Sequence, residues 1–245
     1  MVENLAGQPA GVSLPCTAPA QHHLLTVLRL GEGRQVEVFD AAGWTAQARL
    51  RQDEGAAWVL VLATAARRHP RLFDLAVAVA APRGERADWL VEKLTELGVT
   101  RIDWLLSARS QPHSRRLRGP RWARIAGQAA GQAHAAAPPE VGSAAQALDA
   151  YLAALPDDRA LFVADPTGAP MAALVDGLLP CRATVVVGPE GGLTGDELAG
   201  LRQVGARALR LSTNILRVET AAVAAAALLT AVADGPTCAG PQGAG

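Results

Sequence analysis

Two kinds of hydrophobic patterning divide the chain near residue 70. From Arg34 to Thr64, short runs rich in Val, Leu and Trp (VEVFD, WTAQARL, AAWVLVLAT) are separated by the turn-forming segments Asp40–Gly43 and Gln52–Gly55. Short strands punctuated in this way predict antiparallel pairing in a small barrel. From Arg71 onward, apolar runs alternate with helix-period segments: LFDLAVAVA before Arg86–Leu97, RIDWLLS before Leu117–Ala133, ALFVAD before Pro170–Leu178, ATVVVG before Thr194–Val204 and ARALRL before Arg217–Val232. That alternation predicts an α/β domain in which helices cover a parallel sheet. The polar, Pro-terminated segment Arg67–Pro70 reads as the link. The expected domains are therefore 1–69 and 70–233. Residues 1–20 and 234–245, rich in Gly, Pro and Ala, are expected to be poorly ordered.

The 245 residues are 50% hydrophobic, with 23 basic and 23 acidic side chains, which excludes a largely disordered chain. The longest apolar stretch, Ala221–Ala233, is shorter than the roughly 20 residues a membrane-spanning helix needs. The first residues carry Glu3, no Lys or Arg and no apolar run, so no secretory signal is expected. Cys16, Cys181 and Cys238 fit neither a disulfide framework nor a zinc site, and the five histidines have no metal spacing. A cytoplasmic protein without a metal is the expectation. The neutral total conceals one basic region, in which seven arginines (Arg101, Arg109, Arg115, Arg116, Arg118, Arg121, Arg124) face a single acid, Asp103. Such a cluster either binds phosphates or forms a solvated helix face. Trp44, Trp58, Trp89 and Trp104 read as core; Trp122 stands apart because it lies inside the arginine cluster.

The strongest local signal runs from Thr184 to Leu198. A buried strand enters the loop Gly188-Pro189-Glu190-Gly191-Gly192, and Thr194 with Glu197 then forms a capping-box pattern that starts a helix. The loop thus sits at the carboxyl end of a parallel strand, where open α/β sheets bind ligands. Its glycines let a flat ligand approach the main chain; a bare strand-to-helix turn would read the same in isolation. Neither GxGxxG nor GxxxxGK[ST] is present, so the usual dinucleotide and triphosphate readings lack support. A second loop, Leu211 to Arg217, precedes an Ala-rich helix whose uniformly apolar surface predicts burial in the core or in a subunit interface. Glu219, at the mouth of that helix, also suits a structural ion pair at a helix N-terminus.

Four stretches, HHLLTVLRLGEG (His22–Gly33), DWLVEKLTELGV (Asp88–Val99), VVVGPEGGLTGDEL (Val185–Leu198) and ILRVETA (Ile215–Ala221), stand in the order and spacing of the RsmE family. The chain resembles these SPOUT-class methyltransferases of uracil N3 in bacterial 16S ribosomal RNA from about His22 to Val232. The resemblance implies a PUA-like barrel followed by an α/β domain with a trefoil knot, a homodimer, and S-adenosylmethionine as cofactor. By position, Gly188, Pro189, Glu190, Gly191 and Gly192 match the cofactor loop, and Leu211, Ile215, Leu216 and Arg217 match a second enclosing loop. Val163, Ala164 and Asp165 are expected to form a third wall. Arg109, Arg115, Arg116, Arg118, Arg121, Arg124 and Gln132 are the implied RNA-facing residues, the RNA being held in a small-subunit particle. Departures from the family pattern fall at Ser212–Asn214, Gln111–His113 and Gly131–Ala135, on the RNA-facing parts.

Methyl transfer to uracil N3 requires loss of the N3 proton, stabilisation of the anion and exclusion of water. Arg217 supplies a charge and two donors for that anion, and Glu190 and Glu219 are the nearest proton acceptors by sequence. Two alternatives remain open at this level: another SPOUT enzyme, such as a ribose 2′-O methyltransferase of transfer RNA, and a non-catalytic RNA-binding assembly factor.

Overall fold

The computed structural model describes residues 2, 4–40, 44–53, 58–68, 73–111, 117–133, 135, 137–174 and 181–233. The chain divides into two compact units, Met1–Arg71 with Ala130–Pro138, and Leu72–Ala129 with Pro139–Gly245. Residues 130–138 are thus grouped with the first unit. Gly131 explains part of this, because it packs so closely on the Phe39 ring that an added Cβ would lie 3.3 Å from it.

In the first unit the described residues form an antiparallel sheet of β1 (Ser13–Pro15), β2 (Gln35–Phe39), β3 (Trp44–Gln52), β4 (Trp58–Leu62) and β5 (Arg67–Arg68), in the order β1-β4-β3-β2 with β5 on β3. Strand β3 shows the period-two pattern that gives a sheet one buried face: Ala46, Ala48 and Leu50 point inward while Arg49 and Arg51 are exposed. Described residues of the N-terminal stretch, expected to be poorly ordered, make specific contacts. Val2 and Leu5 are buried in this unit's core, Asp40 accepts the Leu5 N–H at 3.0 Å, and β1 pairs with β4. The cause is long-range pairing that composition does not encode. Helix α1 (Ala18–Gln21) continues into a π-helical turn, His22–Val27. Arg67–Arg68, read as a link, pairs with Trp44–Thr45.

The second unit is built on a parallel sheet in the order β11-β9-β10-β6-β7-β8. Its elements are β6 (Asp74–Ala80), α2 (Glu85–Glu96), β7 (Arg101–Leu106), α3 (Gly119–Gln132, whose end from Ala130 is grouped with the first unit), β8 (Glu140–Ala147), α4 (Leu148–Ala153), β9 (Ala160–Pro170), α5 (Met171–Leu174), β10 (Arg182–Val187), α6 (Gly195–Gln203), β11 (Arg207–Arg210) and α7 (Val218–Ala233). Strands β6 and β10 are buried along almost their whole length, as expected of central strands covered on both faces. Helix α7 lays Val218, Ala222, Ala225, Ala226 and Leu229 into the core against β6, β10 and α2, while Leu228 on its other side is 36% exposed. Its main apolar face is therefore spent inside the protomer. Sequence patterning missed β8 and α4. The edge strand EVGSAAQA has small and polar residues with little apolar alternation, and it takes its shape from pairing with β7.

The tryptophans are sorted by packing. Trp122 is buried against Trp104 with ring centroids 4.4 Å apart, and donates its indole N–H to Asp88 at 3.0 Å. It is core, not a base-stacking platform. Trp89, expected in the core, is 43% exposed.

Behind β7, Tyr151 donates to Asp103 Oδ2 at 2.9 Å, and Arg101 Nε reaches the same carboxylate at 2.9 Å. Burial, then the charge of Asp103 and the hydrogen bond to it, push the Tyr151 hydroxyl well above its ordinary range. A raised native value means stability that is fully present below the unfolded value of about 10 and is lost as pH rises beyond it. Tyr151→Phe should therefore cost about 1–3 kcal/mol at neutral pH. In urea unfolding, the gap between wild type and variant should narrow above about pH 10.

Candidate cofactor and RNA site

Strand order brings the three expected walls to one edge of the sheet. Val163 in β9 pairs with Val186 of β10 on one side and Ala208 of β11 on the other. Beyond Val163 the β9–β11 ladder breaks, and pairing resumes only at Ala169 with Leu209. Residues 164–168 thus lie out of register between the strands that feed loops 188–194 and 211–217. Asp165 stands there with 6% exposure; its Oδ1 accepts from the Thr167 N–H at 2.8 Å and the Thr167 hydroxyl at 2.9 Å. Its Oδ2 is buried with no hydrogen-bond donor among the described residues, and Arg202 Nη2 lies 3.8 Å away.

The glycine loop is a built turn. Gly192 has φ of 71° and donates its N–H to the Pro189 carbonyl at 2.8 Å, a conformation that favours glycine. At Gly188 a Cβ would lie 2.9 Å from Leu193 Cγ, so any side chain there would force Leu193 to shift. The capping box is present as read: Thr194 Oγ1 accepts the Glu197 N–H at 3.2 Å, and Glu197 Oε2 accepts the Thr194 N–H at 2.7 Å. Pro189 is buried, whereas Glu190 and Gly191 are exposed on the loop.

In the second loop Leu211 and Leu216 are half-buried, Ile215 is 82% exposed and Arg217 is exposed. The Arg217 carbonyl accepts the Ala221 N–H at 2.8 Å, which fixes this residue at the start of α7. Its guanidinium pairs with no described residue. Glu219 is different: it is buried within the first turn of α7, with Oε1 3.5 Å from Arg86 Nε on α2. Sequence reading had no signal for Arg86 as that partner, because only the packing of α2 on α7 joins them.

Residues 68–230 match the RNA methyltransferase domain family. The chain is 30% identical over 226 residues to ribosomal RNA small subunit methyltransferase E of Synechocystis sp., spanning 88% of this chain and 72% of that protein. The chain belongs to the ribosomal RNA small subunit methyltransferase E family. The protein of that name from Bacillus subtilis is 27% identical over 219 residues, 84% of each chain. A crystal structure of the Neisseria gonorrhoeae methyltransferase E bound to S-adenosyl methionine matches with a TM-score of 0.79 at 26% identity, covering 95% of each chain.

For this member of the methyltransferase E family, the arginine cluster splits into distinct environments. Arg121 is committed to Asp88, with Nε at 2.9 Å and Nη2 at 2.7 Å from Oδ2. That hydrogen bond, strengthened by charge and by the Trp122 donor against some desolvation, holds the Asp88 carboxyl below its ordinary value. Arg101 is tied to Asp103 and lies 3.7 Å from Glu140. Arg109 bonds the Gly191 carbonyl. Arg118 and Arg124 are exposed, with Arg124 donating to Gln128 at 3.2 Å, and Gln132 is exposed at the end of α3. Arg115 and Arg116 lie outside the described residues. Arg118→Ala should therefore flatten the log–log salt dependence of RNA binding by about 0.7 to 0.9. Arg121→Ala should instead lower the thermal midpoint and leave that slope nearly unchanged; filter binding over a salt series, with a melting curve for each variant, reads both.

Proposed function

We propose that this protein transfers the methyl group of S-adenosylmethionine to N3 of a specific uridine in 16S ribosomal RNA. The observation that carries the reading is the convergence of loop 188–192, segment 163–165 and loop 211–217 at neighbouring strand ends of one parallel sheet. Membership in the methyltransferase E family and likeness to a cofactor-bound relative support it.

The residues fit the cofactor. Loop 188–192 offers main chain with open space where a Gly192 side chain would stand, and Asp165 Oδ2 is a buried acceptor suited to a hydroxyl or amine donor. Val163, Ala164, Asp165, Gly188–Gly192, Leu211, Ile215 and Leu216 would hold it, and when bound it supplies an electrophilic methyl on a sulfonium. The chain supplies the rest. Arg217 offers a guanidinium with no partner among the described residues to the uracil oxygen on which charge develops. Of the two carboxylates, Glu219 is buried and paired with Arg86, whereas Glu190 is exposed on the loop itself. We assign proton acceptance from N3 to Glu190, with Glu219 a structural partner. The exposed Arg118 and Arg124 bind phosphates and offset the few kcal/mol of unstacking the base. No step requires a metal.

The same reading includes a SPOUT-type trefoil knot, a PUA-like barrel in the first unit, a homodimer and a cytoplasmic small-subunit substrate. The knot is supported by the resemblance of Val185–Leu198 and Ile215–Ala221 to the family's cofactor loops. The dimer is supported by the exposed apolar residues Ile215 and Leu228. Nucleoside mapping of 16S ribosomal RNA from a strain lacking the gene tests the function. One 3-methyluridine should disappear and return on complementation. A lost 2′-O-methyl mark on transfer RNA, or no lost modification at all, overturns the reading.

A further inference from the structure

The loop after β7 is bound to the cofactor loop at two points. Arg109 Nη1 donates to the Gly191 carbonyl at 2.8 Å, and the aliphatic part of Arg109 covers Gly191 so closely that a Cβ added to Gly191 would lie 3.3 Å from Arg109 Cβ. One residue earlier, the Ala108 N–H donates at 2.7 Å to Glu197 Oε1, the second oxygen of the carboxylate that caps α6 through the Thr194 N–H. The loop itself is braced: the Ser107 N–H donates to Ser110 Oγ at 2.8 Å, and the Ser110 N–H returns to the Ser107 carbonyl at 3.0 Å. A preformed turn thus grips both ends of the segment from Gly191 to Glu197.

We infer that Arg109 is a positioning residue for the cofactor loop, and not simply one phosphate contact among the arginines. Its hydrogen bond fixes the direction of the Gly191 carbonyl and so the plane of the Gly191–Gly192 peptide. That peptide places the Gly192 N–H on Pro189 and closes the turn. Glycine at 191 and 192 gives the backbone freedom to adopt the turn and equal freedom to leave it. A charge-assisted donor anchored on a braced loop removes that freedom before the ligand arrives, which is pre-organisation. Because Arg109 also opens the arginine-rich segment 109–124, the two binding surfaces share a single side chain.

The inference rests on loop 188–192 being the cofactor loop, and its test separates the two. Hydrogen exchange of the cofactor-free protein and calorimetric titration with S-adenosylmethionine are measured for wild type, R109A, R109Q and R109K. R109A should raise deuterium uptake in residues 188–193 and weaken cofactor affinity roughly tenfold. R109K, which keeps one charged donor, should recover part of both, and R109Q less. R109Q and R109K preserve the side-chain stem, so they decide the matter if R109A does not fold. A wild type that binds no S-adenosylmethionine overturns the cofactor reading along with the inference. Wild-type binding with either unchanged exchange or unchanged affinity in the variants overturns the inference alone, and leaves Arg109 as a phosphate contact read by RNA affinity.

Discussion

Gly168→Ala should destabilise the second unit by about 3 kcal/mol, a fall in melting temperature of roughly 6–12 °C. Gly168 ends the out-of-register stretch of β9. A Cβ there would strike the Ala208 carbonyl and lie 2.9 Å from the Leu209 nitrogen. Both are backbone atoms of β11, so no flexible side chain can move aside; either the ladder opens or the strand shifts. Since Ala208 pairs with Val163 and Leu209 with Ala169, the displacement reaches the segment that carries Asp165. Cofactor affinity should therefore fall together with stability, measured by calorimetry well below the new melting temperature. A variant that melts with the wild type would show that β9 and β11 are not packed as described.

Arg217→Ala should lower the single-turnover methylation rate by about two orders of magnitude at saturating RNA and cofactor, the scale on which removing one donor to a developing anion acts. An interaction that strengthens as the uracil loses its proton lowers the barrier more than it aids ground-state binding. The exposed guanidinium, held at the first turn of α7 and paired with no described residue, is free for that task. Arg217→Lys should recover only part of the rate, because the charge remains while the planar fork is lost. If RNA affinity alone falls and saturated turnover is intact, Arg217 is a binding residue and the assignment fails.

What could be read in the chain before folding was what depends on neighbouring residues. The apolar runs of β6 and β10 encode burial on both faces, and Thr194 with Glu197 encodes a helix start; both stand as read. The glycines at 188 and 192 encode a turn, because a missing Cβ is a local property wherever the loop ends up. Partners across the fold were a different matter. Arg121 and Asp88 are 33 positions apart, and Arg109 and Gly191 are 82 apart, so no spacing rule connects them. Which arginines stay exposed and which are spent on ion pairs follows from the packing of α2, α3 and the β7 loop. The same reason explains strand β1 and the edge strand β8, whose backbone groups find partners only when a distant strand is set beside them. The sequence alone determined the alternation of strands and helices that makes the parallel sheet, and the family-bearing loops, since local conformation and burial pattern are written in adjacent residues; β5, β8 and α4 escaped it. Tertiary structure decided which charges are paired, because strand order brings each of them to its partner.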